Sequence, residues 1–179
     1  MSVFGWIIIH QHLGYSFDWS LSWYHYKAGF GSIDADFWLG LEKVHLLTNC
    51  QPYRLRVEVQ QASTLWFSAE YWSFKIGDEL NDKYRLEVSG YSGDAGDALQ
   101  YEGEWNGNNK FGYYYHNGIK FTTYDLDNDH SSRENCAPTR GGGWWYNRCF
   151  WACLTCNSDN SEWGLLYDII NSRMMIKPQ

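Results

Sequence analysis

The sequence predicts one domain in which β-strands dominate, short helices are few, and the C-terminal half is largely loop. Three observations predict it. Segments alternating apolar and polar residues recur through the N-terminal half, the period of a half-buried strand. Only Trp19–Lys27 and Phe37–Leu47 carry a helical pattern. From Lys110 onward turn residues are dense and periodicity is weak. A chain of 179 residues suits one core and hardly two, so positions 1–179 are expected to form a single domain.

Taken in order, the apolar run Val3–Ile9 reads as a strand of the domain. Met1–Leu13 has no Lys or Arg and makes a poor secretion signal, so a true signal is expected outside this sequence. Tyr53–Val59 (YRLRVEV) shows the cleanest strand alternation, and Leu65–Phe74 and Tyr84–Val88 are similar. Gly and Asn clusters at Gly103–Gly112 and Gly141–Gly143 mark turns, and no internal repeat is present. A half built of loops needs a staple, either disulfide or metal.

Composition excludes several classes. Charged residues at 20% and hydrophobic ones at 44% are those of a globular protein. The formal charge of −7 argues against nucleic acid, which needs a basic footprint. No stretch approaches the ~20 apolar residues of a membrane span. Aromatics reach 19%, with 11 Trp and 14 Tyr. Many stand in polar, Gly-rich surroundings where they could stack on a ligand, but filling the core of a loop-rich domain is the preferred reading.

The cysteines at 50, 136, 149, 153 and 156 are odd in number, so at least one is unpaired if the others bridge. Cys153 and Cys156 form a CxxC. Neither a second CxxC nor a His pair follows to complete a zinc site, and a strand-to-helix redox setting is missing, so a structural or incidental role is expected.

Asp125, Asp127 and Asp129 alternate in YDLDNDHSSRENC. Alternate carboxylates converge when a loop curls, and calcium accepts that arrangement because it wants six to eight hard oxygens in irregular geometry. An EF-hand fails. Counting from Asp125 puts His130 and Cys136 where Gly and Glu belong, and counting from Asp127 puts Ser132 and Pro138 there. On spacing alone a solvated acidic turn is the plainer reading.

The segments FWLGLEKVHLLT at 37–48, YRLRVEV at 53–59, KYRLEVSGYSGDAGDAL at 83–99, HNGIKFTTYDLDND at 116–129, NCA at 135–137 and GGWWYNRC at 142–149, with a fainter MMIKP at 174–178, follow one another in order. Together they resemble the fibrinogen C-terminal (fibrinogen-related) domain family of ficolins, tachylectins, angiopoietins and fibrinogen chains. The resemblance implies an α+β fold with a central, mainly antiparallel sheet, short helices and a loop-rich calcium- and ligand-binding region. It implies a Cys136–Cys149 disulfide. It places calcium (Ca2+) on the carboxylates of Asp127 and Asp129 and on the backbone carbonyls of Ser131 and, by spacing, Arg133. Asp125 becomes a supporting acid outside that shell.

In lectin-type members the ligand pocket surrounds the second cysteine, and in several relatives the peptide before it is cis. Here that is Arg148–Cys149, with His116 at the position of a flanking histidine. Arg140 stands where an aromatic is usual and Phe150 where a histidine is usual. Groups that would serve fibrinogen's own knob pocket fall at Thr139 and Arg140, which disfavours that activity. Cys153–Cys156 replaces an NLNG segment, the late loop is shortened, and Tyr167 is the surviving candidate among the pocket tyrosines. Gly103–Tyr115 reads as an insertion, and the family's N-terminal cysteine segment has no counterpart.

Other residues offer less. His10, His12, His25 and His45 are scattered and read as surface or satisfied core residues. Glu42 and Lys43 are adjacent and do not face each other on a helix. Glu102 and Glu104 lack the fixed separation of a glycosidase pair. Without a Ser-His-Asp order or a nucleophile elbow, no enzyme is expected. The expectation is a secreted, extracellular, calcium-dependent recognition domain that binds acetylated glycans in innate defence, as an oligomer in its full-length parent. The alternatives are a protein-ligand module of angiopoietin type and a degenerate fragment with a lost pocket.

Overall fold

The structure is a computed structural model that describes residues 2–3, 5–14, 17–62, 65–100, 115–157 and 161–179. Glu102, Glu104 and the turn cluster at 103–112 lie outside the described residues. An eight-stranded antiparallel sheet forms the frame. Its strands are β1 (Ser2–Val3), β2 (Trp6–His12), β3 (Phe30–Gly31), β4 (Phe37–Trp38), β5 (Tyr53–Gln61), β6 (Trp66–Ile76), β7 (Leu86–Gly93) and β10 (Ile169–Pro178). The order is β3-β4-β2-β10-β5-β6-β7, with β1 paired to β2. A small second ladder joins β8 (Ala152–Cys153) to β9 (Glu162–Trp163). Among the described residues no helix is long and apolar enough to cross a membrane.

Strand β5 forms where YRLRVEV predicts it. Tyr53, Leu55, Val57 and Val59 are buried in the core, and the residues between them lie on the other face. Strand β7 starts later than the alternation suggests. Lys83 and Tyr84 adopt left-handed backbone conformations that end α3 (Glu79–Asp82), and Tyr84 is buried with its hydroxyl donating to Glu42 at 2.6 Å. Glu42 and Lys43 do not pair: Lys43 donates to the carbonyls of Ala28 and Leu39.

Three expectations are corrected. The helical pattern from Trp19 becomes α1 only at Trp23–Ala28, because Trp19 is buried against His10, Phe17 and Phe30. The pattern from Phe37 splits: Phe37 and Trp38 pair with β2 and β3, and α2 (Leu41–Cys50) begins after Gly40. The stretch with weak periodicity near the C-terminus is β10, a central strand between β2 and β5. It reads poorly as a strand because Met174, Met175 and Ile176 are all buried, so apolar and polar residues do not alternate there.

The C-terminal loops pack on the inner face of the sheet. Trp19, Trp38, Trp144, Trp145, Trp163, Tyr26 and Tyr146 are among the largest fully buried side chains, so core filling explains five of the eleven tryptophans. The Gly141–Gly143 run serves close approach. Gly141 ends α4 (Cys136–Arg140) in a left-handed conformation. A Cβ on Gly142 would lie 1.8 Å from the Thr155 carbonyl oxygen, and one on Gly143 would lie 2.7 Å from the Tyr26 ring. Gly142→Ala is expected to cost at least ~2 kcal/mol, lowering the midpoint of thermal unfolding by roughly 4–8 °C. A shift under ~2 °C in oxidised protein contradicts this packing.

Candidate functional site

Two isolated bridges, Thr122 with Trp144 and Thr123 with Leu126, anchor the start of the acidic loop. Asp125 turns toward α1, where its Oδ1 accepts from the Trp23 N–H at 2.8 Å and the Thr123 hydroxyl at 2.8 Å. It therefore holds α1 to the loop. Asp127 Oδ1 accepts from the Asp129 N–H at 3.1 Å. Asp129 reaches both ways: its Oδ1 accepts from Ser131 N–H at 2.7 Å and its Oδ2 from Cys136 N–H at 2.8 Å. The Arg133 N–H donates to the Ser131 hydroxyl at 3.3 Å.

Partial burial pushes the Asp129 carboxyl above its ordinary range, the Cys136 and Ser131 N–H groups oppose this, and the nearby Asp127 adds to the rise. A bound cation would reverse both the burial cost and the repulsion. The donor set suits calcium, since it offers carboxylate oxygens on an irregular loop. Among the described residues no group of three or more His, Cys, Asp or Glu side chains is placed to hold a metal. The side chains would therefore supply two carboxylates, and carbonyls such as those of Ser131 and Arg133, with solvent, would complete the shell.

The loop is tied to the pocket region at two points. Cys136 and Cys149 form a disulfide with Cα atoms 5.4 Å apart. In addition, the His130 N–H donates to the Asn147 carbonyl at 2.8 Å, and His130 Nδ1 meets Asn147 Oδ1 at 3.1 Å. Asn135 caps α4 by accepting from Ala137 N–H at 2.9 Å.

Around the second cysteine, the Arg148–Cys149 peptide is cis and Arg148 is exposed. The Arg140 guanidinium lies 5.2 Å from the Phe150 ring centroid, and Phe150 meets Tyr146 edge-on at 6.3 Å. Glu162 on β9 is half-buried. Burial raises its carboxyl, and the Arg140 charge pulls it partly back.

His116 is fully buried. Its Nδ1–H donates to the Trp145 carbonyl at 2.7 Å, and Nε2 accepts from the N–H groups of Trp151 at 3.1 Å and Ala152 at 2.9 Å. Both ring nitrogens are thus occupied by backbone, so His116 positions the segment after Cys149. Tyr167 is half exposed, and its carbonyl accepts from Gln61 at the end of β5. Among the described residues no hydrogen bond or ring contact joins it to Arg140 or Phe150.

Two features escaped sequence reasoning. Cys153 and Cys156 form a second disulfide beneath the Tyr146 hydroxyl, which lies 3.2 Å from Cys156 Sγ. Pairing is invisible in a spacing, although the odd count signalled an unpaired thiol, which is Cys50. Glu162 carried no motif; only the fold brings it within reach of the Arg140 charge.

The family model for the C-terminal globular domain of fibrinogen beta and gamma chains matches residues 2–178. The human fibrinogen gamma chain is 40% identical over 153 residues, covering 81% of this chain and 33% of the relative. Bovine angiopoietin-related protein 1 is 39% identical over 143 residues, covering 80% of this chain and 26% of the relative. The sequence thus spans a quarter to a third of the length of these relatives. Among solved structures, the fibrinogen-like globe domain of human ANGPTL2 aligns with a TM-score of 0.83 at 35% identity, over 97% of this chain and 80% of that one. Lamprey fibrin D-dimer, complexed with the peptide ligand Gly-His-Arg-Pro-amide, aligns with a TM-score of 0.84 at 33% identity, over 97% and 61%.

Burial lowers the His116 pKa from 6.5 to about 4 and that of His10 to about 3. Between those values and 6.5 the unfolded protein binds protons that the folded one does not. The stability contribution is complete above pH 6.5 and is lost as pH falls toward 4. For His116 it amounts to roughly 3 kcal/mol. The urea midpoint should fall steeply between pH 6.5 and 4.5, and His116→Gln should flatten that decline. An equal decline in the variant would remove His116 as a cause.

Proposed function

The protein belongs to the family of C-terminal globular domains found in fibrinogen beta and gamma subunits, and on that premise we propose an extracellular, non-catalytic recognition domain whose binding loops are braced by calcium. One observation carries the reading. The Asp129 carboxylate bonds to the backbone of Cys136, and the disulfide from Cys136 reaches Cys149, next to Phe150 and the stacked Arg140. A cation on Asp127 and Asp129 would therefore brace the frame of the ligand surface. The two disulfides support an oxidising, extracellular setting. The His10–Ser172 pair at 3.1 Å is fully buried, and the exposed Ser22–His25 pair at 2.8 Å has no carboxylate bonded to its imidazole among the described residues, which supports a role without catalysis.

The ligand we favour is a polypeptide. Arg140, over the Phe150 ring and close enough for its charge to act on Glu162, offers a charge, a ring and a carboxyl within one small surface. Such a mixture suits peptide side chains better than an acetyl methyl. The peptide complex of the lamprey relative supports this choice. The second reading, an acetylated glycan, is favoured by the intact His116–Trp151–Ala152 brace and the Cys136–Cys149 loop. In either case a single site of this size binds weakly, and oligomerisation of a longer parent would supply avidity.

Calcium at a hundred times its dissociation constant is expected to stabilise the wild type by ~2.7 kcal/mol, raising the unfolding midpoint by roughly 5–10 °C. The Asp127→Asn, Asp129→Asn double variant should show no calcium response. Identical melting of the wild type in calcium and in chelator would refute the calcium brace. For the ligand, folded protein is passed over immobilised peptide bearing a free N-terminus and over N-acetylglucosamine resin, each in calcium and then in chelator. Retention on the peptide alone supports the favoured reading, and retention on the sugar alone replaces it with the second.

A further inference from the structure

The outer face of the sheet, turned away from the calcium loop, carries a second candidate surface. Along β5 the core-facing Leu55, Val57 and Val59 alternate with Arg54, Arg56 and Glu58 on the outer face. The pairing register sets Arg173 of β10 opposite Glu58, Met175 opposite Arg56 and Lys177 opposite Arg54. Two adjoining depressions of about 460 and 210 Å³ share Arg56, Glu58 and Arg173, and together run from Trp6 to Trp66. Met175, buried yet outside the main core cluster, belongs to the larger one.

The charges here are not balanced. Arg56 is held between Glu58, at 2.8 Å, and Glu70, so one guanidinium consumes both carboxylates. Arg54 and Arg173 have no ion pair or side-chain hydrogen bond among the described residues, and the Nε of each is buried without a partner. The Arg54 guanidinium lies 5.2 Å from the Trp6 ring centroid. A cation–π contact of this kind orients the group and leaves its N–H donors unspent. Two neighbouring guanidinium groups without a carboxylate, each with a buried Nε that has no partner, favour an anion at this face.

We propose that this groove binds an acidic polysaccharide, with Arg54 and Arg173 each taking one sulfate or carboxylate and Trp66 offering an exposed ring to a sugar face. Arg54 lies four positions from Glu58, the partner of Arg173, so the two guanidinium groups are rooted ~14 Å apart along the strands. A polymer with anions at intervals suits two cations rooted that far apart. An acidic peptide fits less well. Strands β5 and β10 are paired on both sides, so the groove offers no free backbone edge for a peptide to extend.

Binding is measured in chelator, which separates this face from the calcium loop. The probes are a heparin octasaccharide, its fully desulfated counterpart and a glutamate octapeptide, titrated by calorimetry at low and at physiological salt. The wild type should bind the heparin octasaccharide, more weakly at higher salt. Binding of the desulfated form as well assigns the contact to carboxylate, and its loss assigns it to sulfate. Arg54→Gln with Arg173→Gln should weaken binding at least tenfold, and each single variant, which disturbs less of the face, at least threefold. Asp127→Asn with Asp129→Asn should leave it unchanged. Absence of saccharide binding by folded wild type, wild-type affinity in the arginine variants, or tighter binding of the glutamate peptide would each overturn the proposal.

Discussion

The rest of the structure depends on how closely the backbone at Gly142 and Gly143 approaches its neighbours. There it passes against the Tyr26 ring, the Phe121 ring and the Thr155 carbonyl at distances that leave no room for a Cβ. The Gly143 N–H donates to the Tyr26 hydroxyl at 2.9 Å, and the Gly143 carbonyl accepts from the Thr155 hydroxyl at 2.6 Å. Tyr26 in turn donates to the Trp19 carbonyl at 2.8 Å. Helix α1, the loop after β2 and the loop after α4 thus share one buried hydrogen-bonded network. From it follow the positions of Trp144 and Trp145, and through the Trp145 carbonyl the position of His116.

His116 shows how burial sets chemistry in this half of the molecule. A protonated imidazole would carry two N–H donors, and Nε2 could then no longer accept from Trp151 and Ala152. Burial keeps the ring neutral and so keeps it a bridge. Asp129 is the opposite case: a charged group only partly removed from water, near a second carboxylate, with two backbone donors as compensation. One group is stable as it stands. The other would be stabilised further by a cation, and it is the one placed next to the disulfide.

Much of this could be read from residues, and what could not has physical reasons. Strand β5 was legible because only one of its faces meets the core, so YRLRVEV alternates. Strand β10 was not, because apolar side chains on both of its faces are buried where Met174, Met175 and Ile176 follow one another. The start of α2 was misplaced because Phe37 and Trp38 have the apolar spacing of a helix, while their backbone bonds go to neighbouring strands. At the candidate site, the Cys136–Cys149 pair and the carboxylates of Asp127 and Asp129 were named from ordered motifs. Arg140 and Phe150 were named as departures from them. That the Arg140 guanidinium lies over the Phe150 ring, and that its charge acts on Glu162, depends on how separate loop segments pack, which local patterns do not encode.

The placement of β10 joins these parts energetically. It lies between β2 and β5, so the sheet lacks a central strand until the backbone has passed through the whole loop-rich half. Contacts of such long sequence separation carry the loop-closure entropy of everything between them. Whatever orders the intervening loops lowers that cost, and here the ordering devices are local: two disulfides, the Gly142–Gly143 approach and the hydrogen bonds of Asp129. Sheet and loops share one core cluster and are therefore expected to unfold as one unit. This coupling is why a cation held by two surface carboxylates would register in the melting of the whole domain. It also allows the outer sheet face to act independently. Its residues project from strands braced on the other side by the core, so a ligand there would meet a surface already fixed in shape.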